Sequence, residues 1–251
     1  MSISSTLPTR RDEAWRYSDT DALARLGLET LADWREIAVE AGNTWRQVLV
    51  IGGDAPDLRR LRLTLGEGAR AELFVVCAGT DFTRLEADVT LGNAAHFEFG
   101  GVTIGGGSAV REFVTTTRHE EPGATSNQTV RSVHWGEASG NFLGEIKVAR
   151  HAQQTDAAQD FKALLLEAGA SANAVPQLEI YADDVKCAHG ATVGQLDEVA
   201  RYYMAARGLS PEEARRLLVQ AFIGDAFVGL DDEPERERLI AAALGTLGDR
   251  I

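Results

Sequence analysis

The sequence predicts a mainly β chain with helices at both ends. Three observations carry that reading. Short apolar or alternating runs bounded by Gly, Asn and Ser recur from about Trp45 to Cys187, with almost no helical periodicity between them. Pairs of small residues precede many of these runs at a near-constant spacing: Ala95 to Ala109 is 14 residues, Ala109 to Ala124 is 15 and Ala124 to Ala138 is 14. Beyond about Thr192 the apolar spacing turns helical. Two small-pair steps make a period of about 29 residues, which suits a coiled β-solenoid whose turns bury their faces on one another. A meandering antiparallel sandwich fits the same runs equally well.

The elements follow in order. Residues 1–10 are polar and expected to fray. From Arg11 to Ala41 the spacing of Trp15, Leu23, Leu26, Leu28, Leu31 and Trp34 is helix-like. Ser18 or Asp19 supplies an N-cap for a helix through Leu26, and Gly27 ends it. Strands are expected at Gln47 to Ile51, Leu61 to Leu65, Ala71 to Cys77, Leu85 to Leu91, His96 to Phe99, Val102 to Ile104, Val110 to Val114, Thr129 to Val133 and Phe142 to Val148. Further small pairs at Ala157-Ala158 and Ser171-Ala172 read as corners. Asp156 to Ala168 is ambiguous: Phe161, Leu164, Leu165 and Leu166 favour an amphipathic helix, while the repeat favours a corner and then a strand. The last strands are Gln177 to Tyr181 and Val185 to Cys187.

The tail begins near Thr192. Leu196, Val199, Tyr202, Tyr203 and Ala206 recur at helical spacing as far as Gly208. Ser210-Pro211-Glu212-Glu213 starts a second helix, with Ser as N-cap, Pro at the first position and Glu213 completing a capping box. Leu217, Leu218, Ala221 and Phe222 form its expected apolar stripe, and a third helix is expected from Pro234 to Leu247. The organisation is thus a helical segment at 1–44, a β core at 45–191 and a helical domain at 192–251. With the body closed on itself, the tail is expected to cap its end.

Composition excludes several function classes. The formal net charge of −13 opposes a duplex-binding surface, which needs a Lys/Arg footprint. Without an apolar run long enough to span a bilayer, or a signal-peptide core in the first fifteen residues, the expected compartment is the cytoplasm. Cys77 and Cys187 are then expected as thiols.

One stretch concentrates chemistry. Cys187 and His189 stand one residue apart where strand gives way to helix, and a continuous strand sends i and i+2 to one face. A thiolate and an imidazole are suitable donors for a soft or borderline metal, although two donors alone are too few to hold iron or zinc. Read only as a pair, they fit a packed Cys and a backbone-bonded His better than a metal site. Cys77, in an apolar run, reads as buried structure. Arg118-His119-Glu120-Glu121 reads as a solvated loop, and His96, His134 and His151 are scattered. Asp183-Asp184 reads as a turn rather than a convergent carboxylate pair. Gly100-Gly101 and Gly105-Gly106-Gly107 read as turn glycines, since no Lys-Ser/Thr follows to make a nucleotide loop.

The region around Cys187 and His189 resembles the C-terminal signature of SufD-type members of the SufB/SufD family of iron–sulfur cluster assembly proteins. Ser126-Asn127-Gln128, the run Lys147 to Ala170 (KVARHAQQTDAAQDFKALLLEAGA) and Val175 to Ile180 are similar to the core that SufB and SufD share, and Arg11 to Ser18 (RDEAWRYS) resembles a Trp-Arg/Lys-Tyr segment near the start of family members. The resemblance implies a right-handed parallel β-helix core, which resolves both the sandwich alternative and the segment after Asp156 in favour of solenoid strands. It also implies a non-catalytic subunit of a SufBCD complex. The partners would be SufB at the solenoid end and the SufC ATPase on the helical region, here Gln195 to Val228, with Gln195, Tyr202, Tyr203, Leu217, Leu218 and Phe222 as docking candidates. His189, with Cys187 beside it, would take part in assembling a transient cluster at the SufB interface, with none held by the isolated chain. Self-pairing of this chain is the alternative partner arrangement. SufD-like proteins usually carry a longer N-terminal helical region than the one seen here. A SufB-like scaffold hosting its own cluster fits less well, since that type carries more cysteines and a Glu where Gly190 stands. A solenoid carbohydrate-active protein would need a convergent carboxylate set.

Overall fold

The computed structural model describes residues 6–248; the expected fraying of residues 1–10 falls half outside them. The body is a parallel β-solenoid of about six turns, built from β1 (Arg35–Val39), β2 (Thr44–Ile51), β3 (Asp57–Leu65), β4 (Arg70–Cys77), β5 (Thr83–Leu91), β6 (His96–Gly105), β7 (Val110–His119), β8 (Thr125–His134), β9 (Ser139–Val148), β10 (Asp156–Leu165), β11 (Ser171–Ile180) and β12 (Lys186–Gly194). The odd-numbered strands stack in order as one six-stranded sheet and the even-numbered strands as another. Each turn therefore gives one strand to each sheet. Every strand pairing is parallel, which excludes the antiparallel sandwich.

The turns grow along the chain. Paired residues are 26 apart between β2 and β4 (Thr44 with Arg70), 29 apart between β6 and β8 (His96 with Thr125) and 32 apart between β9 and β11 (Ser139 with Ser171). Strand length accounts for the first half of the rise, from 8 residues in β2 and β4 to 10 in β6 through β11, and longer connections between strands of constant length account for the rest. Small residues sit at the inside of the corners: Ala69, Ala95, Ala109, Ala124, Ala138 and Ala170 each immediately precede a strand and are buried. Two expected corners are displaced. Ala157-Ala158 and Ser171-Ala172 lie inside β10 and β11. The corner before β10 is Thr155, whose hydroxyl donates to the Ala152 carbonyl at 2.9 Å. The lengthened turn carries the small pair past the corner.

Alternation packs the interior. Leu61, Leu63, Leu65, Leu73, Val75, Leu85, Val89, Phe97, Phe99, Phe113 and Phe142 point inward and are buried in one core. At about 25 cal/mol per Å², such burial is the main favourable term for the body. Phe99 meets Phe113 edge-on with centroids 5.3 Å apart, and Phe142 stacks on Phe161 at 5.9 Å.

Several expectations are corrected. Trp34 to Ala41 is not helical: β1 begins at Arg35 and pairs with β3. His96 to Phe99 and Val102 to Ile104 belong to one strand, and Gly100 and Gly101 lie inside it rather than in a turn. They are Gly because both faces are crowded: a Cβ on Gly100 would collide with the Ala226 carbonyl oxygen, and one on Gly101 with the Phe113 ring at 2.7 Å. Arg118 and His119 end β7, and His119 is buried rather than solvated.

The N-terminal segment lies on the outer face of the odd sheet. Asp19 caps α1 (Thr20–Ala32), accepting from the backbone N–H groups of Asp21 and Ala22, and Gly27 breaks the helix midway with φ +77°. Ala22, Leu23 and Leu31 pack on Leu58 and Phe82. Just before, the Arg84 guanidinium stacks 3.8 Å over Trp15 and pairs at 3.0 Å with Glu112. Ser18 donates to Glu112 at 2.7 Å and Asn141 at 2.9 Å, so this buried carboxylate is fully partnered, as burial of a charge demands.

The tail comprises α2 (Glu198–Ala206), α3 (Pro211–Gly224) and α4 (Glu233–Gly245). The Ser210–Glu213 capping box is formed. The tail does not cap the solenoid end. It lies along the outer face of the even sheet, where Val219, Ile223, Phe227, Leu230, Leu239 and Leu244 cover Phe74, Val76, Val102, Ile104 and Val133. That run is apolar on both faces because both are covered: Val75 faces the core and Phe74 and Val76 face the tail. Arg131, buried on β8, fastens the two parts by pairing with Asp160 and Asp225. The stripe buried from α3 is Ala214, Val219 and Ile223, with Phe222 half-buried; Leu217 and Ala221 face out instead.

Candidate cluster-assembly edge

With the tail on the flank, the C-terminal end of the solenoid is open. β11 and β12 are the last strands of their sheets. Register assigns their inward faces. On β11 these are Ala172, Ala174, Pro176, Leu178 and Ile180, opposite the inward Gly140, Phe142, Gly144, Ile146 and Val148 of β9. On β12 they are Cys187, His189, Ala191 and Val193, opposite Ala157, Gln159, Phe161 and Ala163 of β10. None of these β11 and β12 side chains is fully buried, and Ile180 and Val193 are 39% and 50% exposed. The end face is therefore apolar except for the thiol and one imidazole. Pro176 sits on an outermost strand, where a missing N–H is tolerated.

The strand continues through Cys187 and His189, so both share this face. Cys187 is half-buried against Ala157, Leu178 and Val185, and burial together with the Asp156 charge pushes its thiol up. His189 is exposed. The pair is brought together as sequence spacing requires, and its two donors cannot close a coordination sphere. Among the described residues, no three His, Cys, Asp or Glu side chains are grouped to hold a metal ion. Two donors are too few to hold an iron or zinc ion by themselves.

The other candidates sit elsewhere. Cys77 is fully buried, and its thiol is pushed well up by desolvation. His134 is pushed down to about 3 and His119 to about 4, both chiefly by burial. His134 bonds the Gly105 carbonyl at 3.1 Å, and His119 bonds Ser126 at 3.0 Å. Asp183 and Asp184 lie in a bend before β12. On the helices, Gln195, Tyr202, Tyr203 and Leu217 are exposed and Leu218 is half-buried, while Phe222 turns inward beneath Arg131. α2 buries none of its side chains. Sequence reading missed Gln159, which is buried directly below His189 in the register. The signal was the period itself, because 30 residues separate them.

A parallel β-solenoid with an open C-terminal edge, two helices packed on its flank and a third, α2, that buries none of its side chains defines the structural class. The comparisons specify the family. A family model described as SUF system FeS cluster assembly, SufBD core domain, matches residues 24–222. The chain belongs to the SufB/SufD family of iron–sulfur cluster assembly proteins. It is 35% identical over 127 residues to the iron–sulfur cluster assembly protein SufD of Escherichia coli, covering 51% of this chain and 30% of that protein. It is 33% identical over 174 residues to a SufBD family iron–sulfur cluster assembly protein of Synechocystis, covering 69% of this chain and 38% of the other. With a Mycobacterium leprae SufBD family protein the identity is 29% over 230 residues, covering 88% and 55%. The chain thus spans about one third to one half of the length of these relatives. Among the described residues, no helix is long and apolar enough to cross a membrane.

Proposed function

We propose that the chain is a SufD-like, non-catalytic subunit of a cytoplasmic SufBCD-type complex. It pairs across its open solenoid end with SufB and docks the SufC ATPase on α2 and α3. The open end carries this reading: an apolar face of strand residues, uncovered by the chain's own tail, with the only two soft or borderline donors of the edge on it. A cluster assembled there is substrate, not a resident cofactor. His189 and Cys187 supply up to two ligands, and SufB supplies the rest. The Cys187 thiol, pushed up by burial and the Asp156 charge, becomes a ligand only when a metal displaces its proton. Tyr202, Tyr203 and Leu217 form the SufC surface, with Gln195 at its start. ATP chemistry belongs to that partner.

Co-purification tests this. A tagged chain and its His189→Ala variant are used to draw SufB and SufC from the same cells, and each complex is assayed for cluster formation. The expected result is both partners with each version and cluster assembly only with wild type. If neither partner is retained, the subunit reading is wrong. If the variant assembles clusters normally, His189 is not a site residue.

A further inference from the structure

The geometry points to Gln159 as the residue that positions the His189 ring, an inference that rests on the reading of His189 as a site residue. Four observations lead there. Gln159 and His189 are direct register partners on neighbouring parallel strands and share the inward face. Gln159 is 2% exposed, and neither its Oε1 nor its Nε2 has a hydrogen-bond partner. Buried amides are almost always paired, so this one is unspent. Gly144, directly across the interior, leaves room for it: a Cβ there would stand 2.9 Å from the Gln159 Nε2. Finally, the rest of the last complete turn offers no competitor. Its other inward residues are Gly140, Phe142, Gly144, Ile146 and Val148 on β9, and Ala157, Phe161 and Ala163 on β10.

The contrast with the turn below sharpens the point. Gln128 occupies the same column on β8 and is also buried, but its amide is spent: Thr115 donates to its Oε1 at 2.6 Å and its Nε2 donates to Thr117 at 3.1 Å. Register partners on adjacent strands are about 4.8 Å apart. Rotation about the Gln159 side-chain bonds carries its amide from Gly144 to the imidazole. An amide serves either tautomer, accepting from a ring N–H through Oε1 or donating to a bare ring nitrogen through Nε2. One ring nitrogen is thereby engaged from below, and the other is turned toward the open mouth where a metal would approach. Residues that orient ligating imidazoles in this way fix both tautomer and direction.

The test reads the ring itself in the full chain. Nitrogen-15 spectra of the His189 imidazole are recorded for wild type, Gln159→Leu and Gln159→Glu. Wild type is expected to give one defined tautomer with one hydrogen-bonded ring nitrogen. Gln159→Leu should shift both ring resonances toward those of a free imidazole, and Gln159→Glu, which keeps reach and an acceptor, should restore a bonded ring nitrogen. In reconstituted complexes, Gln159→Leu should lower cluster yield by about tenfold or more, with Gln159→Glu partly restoring it. Ring resonances unchanged in a folded Gln159→Leu chain overturn the inference. If that variant fails to fold, unchanged ring resonances in Gln159→Met, which keeps the length of the side chain and loses both hydrogen-bonding groups, do the same. A coupled ring in a chain whose His189→Ala variant assembles clusters normally would instead overturn the site reading, leaving the Gln159–His189 contact in place.

Discussion

The even sheet meets apolar surface in two places and treats it in opposite ways. On its outer flank, Phe74, Val76, Val102, Ile104 and Val133 are buried beneath the tail. At its end, Ala191 and Val193 of β12 and the facing Ile180 of β11 are exposed, and Leu178 is only half-buried. The residue types are alike, and the tail has three helices at hand. The helices lie on the flank, so the end is open by arrangement and not for want of cover. Uncovered apolar surface of this kind supports the contact face proposed above.

The largest effect expected from breaking the contrast lies on the covered side. Phe227 is fully buried and meets Phe74 edge-on at 6.5 Å. Phe227→Ala should cost about 3–5 kcal/mol in denaturant unfolding and make the tail a site of early proteolysis. Acid asks whether flank and end form one cooperative unit. His119 and His134 are neutral when folded, with values near 4 and 3, and titrate near 6.5 when unfolded. The unfolded chain therefore binds the protons. Stability is full above about pH 6.5 and falls as pH drops toward about 4, by about 1.4 kcal/mol per unit for each histidine. His134→Gln should remove its share of that slope, and flank and end should melt together.

Smaller effects follow. Arg131→Leu releases Asp160 and Asp225, which are about half-exposed and rehydrate, so the loss should be about 1–2 kcal/mol, discounted for that exposure. Tail helices should then exchange amide hydrogens faster while β12 is unaffected. Smallest for stability are Tyr202→Ala and Val193→Asp, both within about 0.5 kcal/mol in the isolated chain because neither side chain is buried. Each should nevertheless weaken capture of one partner: Tyr202→Ala that of SufC, Val193→Asp that of SufB. A Val193→Asp chain that binds SufB normally would remove the end face from the proposed interface.

What the sequence discloses follows from what periodicity encodes. Leu61 to Leu65 alternates and is a strand; Ser210-Pro211-Glu212-Glu213 spells a helix start, and the structure has one. β1 was illegible because five residues pairing on a single side leave too short a pattern to separate from the helical spacing before it. The seat of the tail was hidden because Ala71 to Cys77 reads as one apolar run, without naming what covers each face. Cys187 and His189 stood out because they are adjacent. Gln159 did not, since its neighbour lies 30 residues away and the offset drifts from 26 to 32 along the chain.

That drift has a geometric consequence. The first strands, β1 and β2, hold 5 and 8 residues, while β11 and β12 hold 10 and 9. At about 3.3 Å per residue, the odd sheet widens by about 16 Å from β1 to β11, while the even sheet widens by only about 3 Å from β2 to β12. The two edges of the odd sheet are therefore unequal in length, and the taper gives the solenoid a direction that a uniform stack of turns would lack.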